Sequence, residues 1–183
     1  MLFHETEIPG AMLIDLQPHA DERGFFARSF CAREFADHGL RTDIVQSNVS
    51  YNARRGTVRG FHYQVAPATE SKLIRCVRGA VHAVVVDVRP ASGTYLHHIA
   101  VKLTAENHRA LYIPDMCAAG IQTLADDTEL LYMVTGFYTP DAERGLHHAD
   151  PRLGVTWPLT ITTVSPKDAA LPFLDGDRTA LAT

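Results

Sequence analysis

Lys72-Leu73-Ile74-Arg75-Cys76-Val77, then Arg78-Gly79, then Ala80-Val81-His82-Ala83-Val84-Val85-Val86-Asp87-Val88, is the stretch that decides the fold class. β-Branched side chains dominate it, and such residues fit a pleated, half-buried surface. Two runs of strand length flank a dipeptide that ends in glycine, which predicts a β-hairpin. Further strands are predicted on both sides, at residues 12–16, 25–30, 44–51, 95–101, 109–113, 120–124 and 129–135. Many short strands at close spacing predict an all-β sandwich or barrel. Asp21-Glu22-Arg23-Gly24 reads as a turn. Residues 32–40 predict one short helix, stopped by Gly39. The tail from Thr156 carries Pro158, Pro166 and Pro172 and predicts loop, with one helical turn near Lys167-Asp168-Ala169.

A chain of 183 residues, 46% hydrophobic, buries a sizeable core without cross-links. It has no internal repeat or low-complexity linker, so residues 1–183 are expected to form one domain. A net charge of -4 and a pI of about 6.2 argue against bulk electrostatic binding to nucleic acid. Cys31, Cys76 and Cys117 are scattered and odd in number, the usage of a reducing compartment. The N-terminus lacks the pattern of a leader, and no run reaches membrane-spanning length. A cytoplasmic protein with no membrane partner is expected.

The chemically dense stretch is Arg59-Gly60-Phe61-His62-Tyr63-Gln64, with Lys72 eight residues beyond. It gathers a guanidinium, an imidazole and an ammonium, which suits an anionic substrate and proton transfer. Residues 44–51 alternate apolar and polar, so Gln46, Asn48 and Ser50 share one wet face. Taken alone, His62 reads as a hydrogen-bonded structural histidine, Tyr132 and Tyr138 as barrel aromatics, Arg23 as solvated surface and Asp168 as a helix-start carboxylate. Their order along the chain changes that reading.

Asp21-x-Arg23-Gly24-x-Phe26, Val45-Gln46-x-Asn48-x-Ser50, the Arg59–Gln64 run with Lys72-Leu73, Tyr132-x-x-Thr135-x-x-Tyr138-x-Pro140, Asp150-Pro151-x-Leu153-Gly154-x-x-Trp157-Pro158 and Ser165-x-Lys167-Asp168 occur in that order. Together they resemble the nucleotide-sugar 3,5-epimerases of the cupin class, from Asp21 to about Leu174. The resemblance implies a cupin-like double-stranded β-helix, or jelly-roll, barrel with a few short helices. It implies epimerisation of a nucleotide-linked 4-keto-6-deoxy sugar at C3, C5 or both, through an enolate and without a cofactor. In that reading His62 is the base and Asp168 its partner carboxylate. Lys72 stabilises the enolate oxygen and Tyr132 delivers a proton from the other face. Arg23 and Arg59 resemble the diphosphate contacts, Gln46 and Asn48 hydrogen-bonding partners of the substrate, and Tyr138 the aromatic stacked on the base. Glu143 and Lys167 occupy further substrate-contact positions. The resemblance also implies a homodimer with exchanged N-terminal strands, in which Arg23 serves the partner's site.

Three departures individualise the chain. Ala119 stands where many family members carry a histidine, which enlarges the pocket and removes a donor near the sugar. Arg28 stands where a glutamate usually contacts the pyrimidine, a charge reversal that leaves the nucleotide base open. His147-His148-Ala149 replaces a run that usually carries an aromatic. Metallocupins use a strand-borne His-x-His, but here Gln64 holds the second position and Ala119 that of the later histidine, so no catalytic metal is expected. A keto-sugar isomerase using the same enolate chemistry and a non-catalytic nucleotide-sugar-binding cupin remain alternatives.

Overall fold

The computed structural model describes residues 1–174. In chain order its strands are β1 (Leu2–Glu5), β2 (Met12–Asp15), β3 (His19–Asp21), β4 (Gly24–Phe26), β5 (Gln46–Asn52), β6 (Val58–Gln64), β7 (Lys72–Arg78), β8 (Ala80–Asp87), β9 (His98–Thr104), β10 (Ala110–Ile113), β11 (Cys117–Thr123), β12 (Thr128–Val134) and β13 (Glu143–Gly145). Helix α1 (Ala32–Asp37) lies between β4 and β5, and α2 (Pro166–Ala169) lies in the tail. Short 3-10 turns occur at Pro140–Ala142 and Pro151–Leu153.

A six-stranded sheet in the order β1-β2-β10-β7-β12-β5 faces a five-stranded sheet in the order β13-β6-β11-β8-β9, and β3 and β4 form a separate hairpin. This is the jelly-roll arrangement that the cupin resemblance implies. The predicted hairpin across Arg78-Gly79 does not form. β7 pairs with β10 and β12, whereas β8 pairs with β11 and β9 in the opposite sheet. Gly79 is a corner between layers. Its φ of +72° is open to glycine, and a Cβ there would run into Thr128. Local pattern marks a turn but not whether the strands beyond it share a sheet.

Three apolar clusters follow from the layering. Ile74, Cys76, Val81, Ala83, Val85, Leu103, Leu111, Ile121 and Leu130 fill the space between the sheets. Phe61, Tyr63, Val84, Val86, Ala118 and Leu146 pack with Trp157 and Leu174 of the C-terminal tail. Ile14, Phe35, Leu73, Ala110 and Tyr112 form the third cluster, to which α1 contributes Phe35. α1 ends at Asp37 rather than at residue 40, with Gly39 at φ +71° just beyond it. The strand expected at residues 95–101 begins only at His98. Before it, the buried Asp87 carboxylate ties Arg89, Ser92 and Thr94 into a corner. Of the run at 25–30, only Phe25 and Phe26 are in a strand. No helix among the described residues is long and apolar enough to cross a membrane.

One irregularity positions the site. Against β11, Ala119 pairs with His62 but Ile121 pairs with Arg59, so β6 carries one residue more than its partner. Without that bulge, residues three apart on a strand would face opposite sides. With it, Arg59 and His62 both reach the space between the sheets. The bulge contains Gly60, at φ +101°, where a Cβ would collide with the Ala119 carbonyl oxygen. Gly60→Ala is expected to destabilise the fold by about 3 kcal/mol through overpacking and a strained backbone. Urea unfolding of the variant reads this directly.

Candidate active site

The two sheets part at one end around a cleft with two lobes. The first lobe, about 370 Å³, is lined by Arg59, His62, Lys72, Ala119, Tyr132, Lys167 and Asp168 with the apolar Ile74, Ile121 and Leu130. The second lobe, about 410 Å³, is lined by Gln46, Asn48, Glu70, Tyr138 and Glu143 and shares His62, Lys72 and Tyr132 with the first. Eleven of the thirteen residues given a site role in the sequence therefore meet in one place, although they span residues 46 to 168.

His62 stands on β6 in one sheet, and Lys72 and Tyr132 stand on β7 and β12 in the other. The imidazole therefore lines one wall of the cleft, and the phenol and ammonium line the other. His62 Nε2 lies 2.8 Å from Asp168 Oδ1. The second oxygen of Asp168 accepts from the Gly60 backbone N–H at 3.1 Å. Ser165 caps α2 through its Oγ, which accepts from the Asp168 N–H at 3.0 Å. The tail thus delivers a carboxylate beneath β6. Burial alone would push the Asp168 carboxyl up, but hydrogen bonds from His62 and Gly60 outweigh it and hold it below the ordinary range. An ionised Asp168 accepts a hydrogen bond from a protonated Nε2, which leaves Nδ1 as the unprotonated nitrogen.

Burial raises the Tyr132 phenol above its ordinary pKa, so it stays protonated at neutral pH and can donate. Lys72 is ion-paired with Glu70, a carboxylate that the sequence reading missed. Its signal was present: residues 70 and 72 share one face of an extended chain. Arg59 is braced by Asn52 Oδ1 at 2.6 Å and the Tyr51 carbonyl at 3.3 Å. It also borders a side hollow of about 280 Å³ with Arg54 and Thr57.

The rim is a connected set. Gln46 Oε1 accepts from the Tyr138 N–H at 2.8 Å. Glu143 Oε2 accepts from the Tyr138 hydroxyl at 2.8 Å and from Lys167 Nζ at 2.6 Å. Burial would raise the Glu143 carboxyl, but those two donors more than compensate and lower it. Ala119 lies in the first lobe opposite His62. Gln64 points elsewhere: its amide donates to the Ala68 and Phe137 carbonyls and accepts from the Thr139 N–H. Among the described residues no three His, Cys, Asp or Glu side chains come together as metal ligands.

Arg23 and Arg28 are not in the cleft of the single chain. Arg23 is 84% exposed at the β3–β4 turn and paired with Asp21 at 2.6 Å. Arg28 reaches Glu34 at 3.4 Å. β5 is inverted relative to a simple amphipathic strand. Its polar Gln46, Asn48 and Ser50 line the cleft, while Val49 and Tyr51 on its other face are 61% and 52% exposed.

Residues 5–176 match the family model described as dTDP-4-dehydrorhamnose 3,5-epimerase. A dTDP-4-dehydrorhamnose 3,5-epimerase of Shigella flexneri is 38% identical, covering 94% of this chain and 96% of that protein. The structure of the Bacillus anthracis dTDP-4-dehydrorhamnose 3,5-epimerase with TDP and PPi bound superimposes with a TM-score of 0.91 at 37% identity, covering 94% of this chain and 99% of that one. The structure of ChmJ, a 3'-monoepimerase from Streptomyces bikiniensis in complex with dTDP-quinovose, gives 0.86 at 34% identity, over 93% of this chain and 86% of that one.

Proposed function

The chain belongs to the dTDP-4-dehydrorhamnose 3,5-epimerase family, and from that premise we propose how its cleft epimerises a nucleotide-linked 4-keto-6-deoxy sugar in deoxysugar biosynthesis. The observation that carries the reading is the placement of His62, backed by Asp168, across the cleft from Lys72 and Tyr132. A C–H beside a ketone is weakly acidic. His62 Nδ1 takes that proton as the electrons move onto the carbonyl oxygen, and the Lys72 ammonium stabilises the enolate that forms. Tyr132 returns a proton to the opposite face of the same carbon, which inverts it. Arg59 holds the diphosphate. Gln46 and Asn48 bind the nucleotide or sugar, Tyr138 stacks on the base, and Glu143 and Lys167 complete the rim. No step calls for a cofactor.

Incubation with dTDP-4-keto-6-deoxyglucose in deuterated water tests the reading. Deuterium at C3 and C5 signifies double inversion, and deuterium at one carbon signifies a monoepimerase. A migrated carbonyl would replace the reading with isomerisation, and no exchange with any 4-keto nucleotide sugar would leave a binding protein. Thermal stabilisation by dTDP, UDP, CDP and GDP identifies the base.

Residues 1–183 are further proposed to be a single domain that works as a homodimer, with residues 175–183 outside the described part. The apolar Val49 and Tyr51 turned outward from β5, and the exposed hairpin that carries Arg23, support a partner surface. If Arg23 serves the partner's cleft, Arg23→Ala and His62→Ala complement each other. Each mixed dimer then holds one intact site, so co-expression at equal levels restores about a quarter of the wild-type sites. Activity no greater than that of the two variants assayed separately would place Arg23 outside the partner's site.

A further inference from the structure

Glu70 has no part in the proton transfers described above, yet it is built into the cleft with more care than its neighbours. It accepts a hydrogen bond from Lys72 Nζ, and the two side chains are only 11% and 12% exposed. A charge pair so far from water is stable only if its geometry is held. Here the backbone around it is strapped in place. Thr69 Oγ1 and Ser71 Oγ, on either side of Glu70, both donate to the Asp115 carboxylate, the first at 2.9 Å. Arg41 Nη1 holds the same carboxylate at 2.8 Å. The Ser71 N–H donates to Thr135 Oγ1 at 2.9 Å, and the Thr135 N–H donates to the Ser71 carbonyl at 3.1 Å. Gly136 packs against this strap, since a Cβ there would stand 3.0 Å from Glu70 Cβ. The neighbours take the structural bonds, and the Glu70 side chain is turned into the second lobe beside Lys72 and Tyr132.

We propose that Glu70 is a positioning residue for the reaction, aiming the Lys72 ammonium at the carbonyl oxygen that becomes the enolate. The proposal rests on the enolate reading of the cleft. A lysine head on four methylenes samples many rotamers when free. Anchored by Glu70, it meets the developing oxyanion without being ordered at the moment of reaction. The carboxylate has a second effect. Burial is the main cause that raises the Tyr132 phenol and Arg59 opposes it, while the negative charge of Glu70 adds to the rise. Removing that charge lets the phenol ionise at lower pH.

The test uses the full-length protein carrying Glu70→Ala, Glu70→Asp or Glu70→Gln. Glu70→Ala is expected to lower kcat for deuterium exchange about tenfold or more while KM changes by less than about twofold, and Glu70→Asp to recover part of the loss. In Glu70→Gln the alkaline limb of the rate profile moves to lower pH. The Tyr132 resonance of protein labelled with 13C-tyrosine, assigned through Tyr132→Phe, titrates at lower pH than in the wild type. A purely packing role would not give a kcat loss at nearly constant KM that Glu70→Asp partly recovers. Wild-type exchange together with an unchanged kcat in Glu70→Ala, or an unmoved Tyr132 titration in Glu70→Gln, overturns the role of Glu70 alone. Absence of exchange in the wild type overturns the enolate reading, and this role with it.

Discussion

His62→Asn lowers kcat for solvent deuterium exchange by about 10²–10⁴-fold, the range spanned by a positioned general base. The bulge at Gly60 turns His62 into the cleft, and Asp168 fixes the ring through Nε2 at 2.8 Å. Of the groups lining the first lobe, Arg59, Lys72 and Lys167 are cations and Tyr132 is a raised phenol. The raised phenol keeps its proton near neutral pH, and Asp168 is occupied by His62 and Gly60. In the other lobe Glu70 is held by Lys72, and Glu143 by Tyr138 and Lys167, which leaves the imidazole as the proposed base. Asparagine is close to it in size and can still donate to Asp168, so the fold survives. The diphosphate contact proposed above lies elsewhere, at Arg59, so the affinity for dTDP should stay within about twofold by calorimetry. Exchange by His62→Asn at the wild-type rate would sink the base assignment. Loss of nucleotide binding in step with kcat would point to a collapsed cleft instead.

Much of this site is written in residue types at strand spacing. Gln46, Asn48 and Ser50 share a face because alternate residues must, and that face lines the cleft. What the spacing does not carry is which way a strand faces once the sheets are assembled. β5 turns its polar side inward, against the usual rule, because the space it faces is a cleft and not a core. The bulge in β6 is equally silent. Arg59 and His62 three apart read as opposite faces until β11 supplies the register. The corner at Gly79 has the chemistry of a hairpin turn and separates two sheets, a difference fixed by partners distant in sequence. Asp168 was legible from its motif, yet its reach of 106 residues to His62 depends on a tail anchored by Trp157 against Phe61. Arg23 and Arg28 had motif positions like the others, yet they pair with Asp21 and Glu34 away from the cleft.

Asp168→Asn sets the sharpest test of that tail, with an expected loss in kcat of about 10³–10⁴-fold, comparable to the change of a triad aspartate to asparagine. The reason is orientation. In the wild type one carboxylate oxygen accepts from the Gly60 N–H and the other from His62 Nε2. An asparagine must keep its single oxygen on the Gly60 N–H, since turning over would set two donors against each other in a buried site. Its amide nitrogen then faces Nε2 as a donor. The imidazole answers by leaving Nε2 bare and carrying its proton on Nδ1, the atom that should receive the substrate's proton. Asp168→Ala imposes no tautomer, but it strands the Gly60 N–H at a cost of about 1–3 kcal/mol. The two variants should therefore rank in opposite orders. Asp168→Asn unfolds at the higher temperature, and Asp168→Ala retains the higher kcat. Equal kcat values, or the reverse ranking, would show that Asp168 acts by charge alone and not by fixing which nitrogen of His62 faces the sugar.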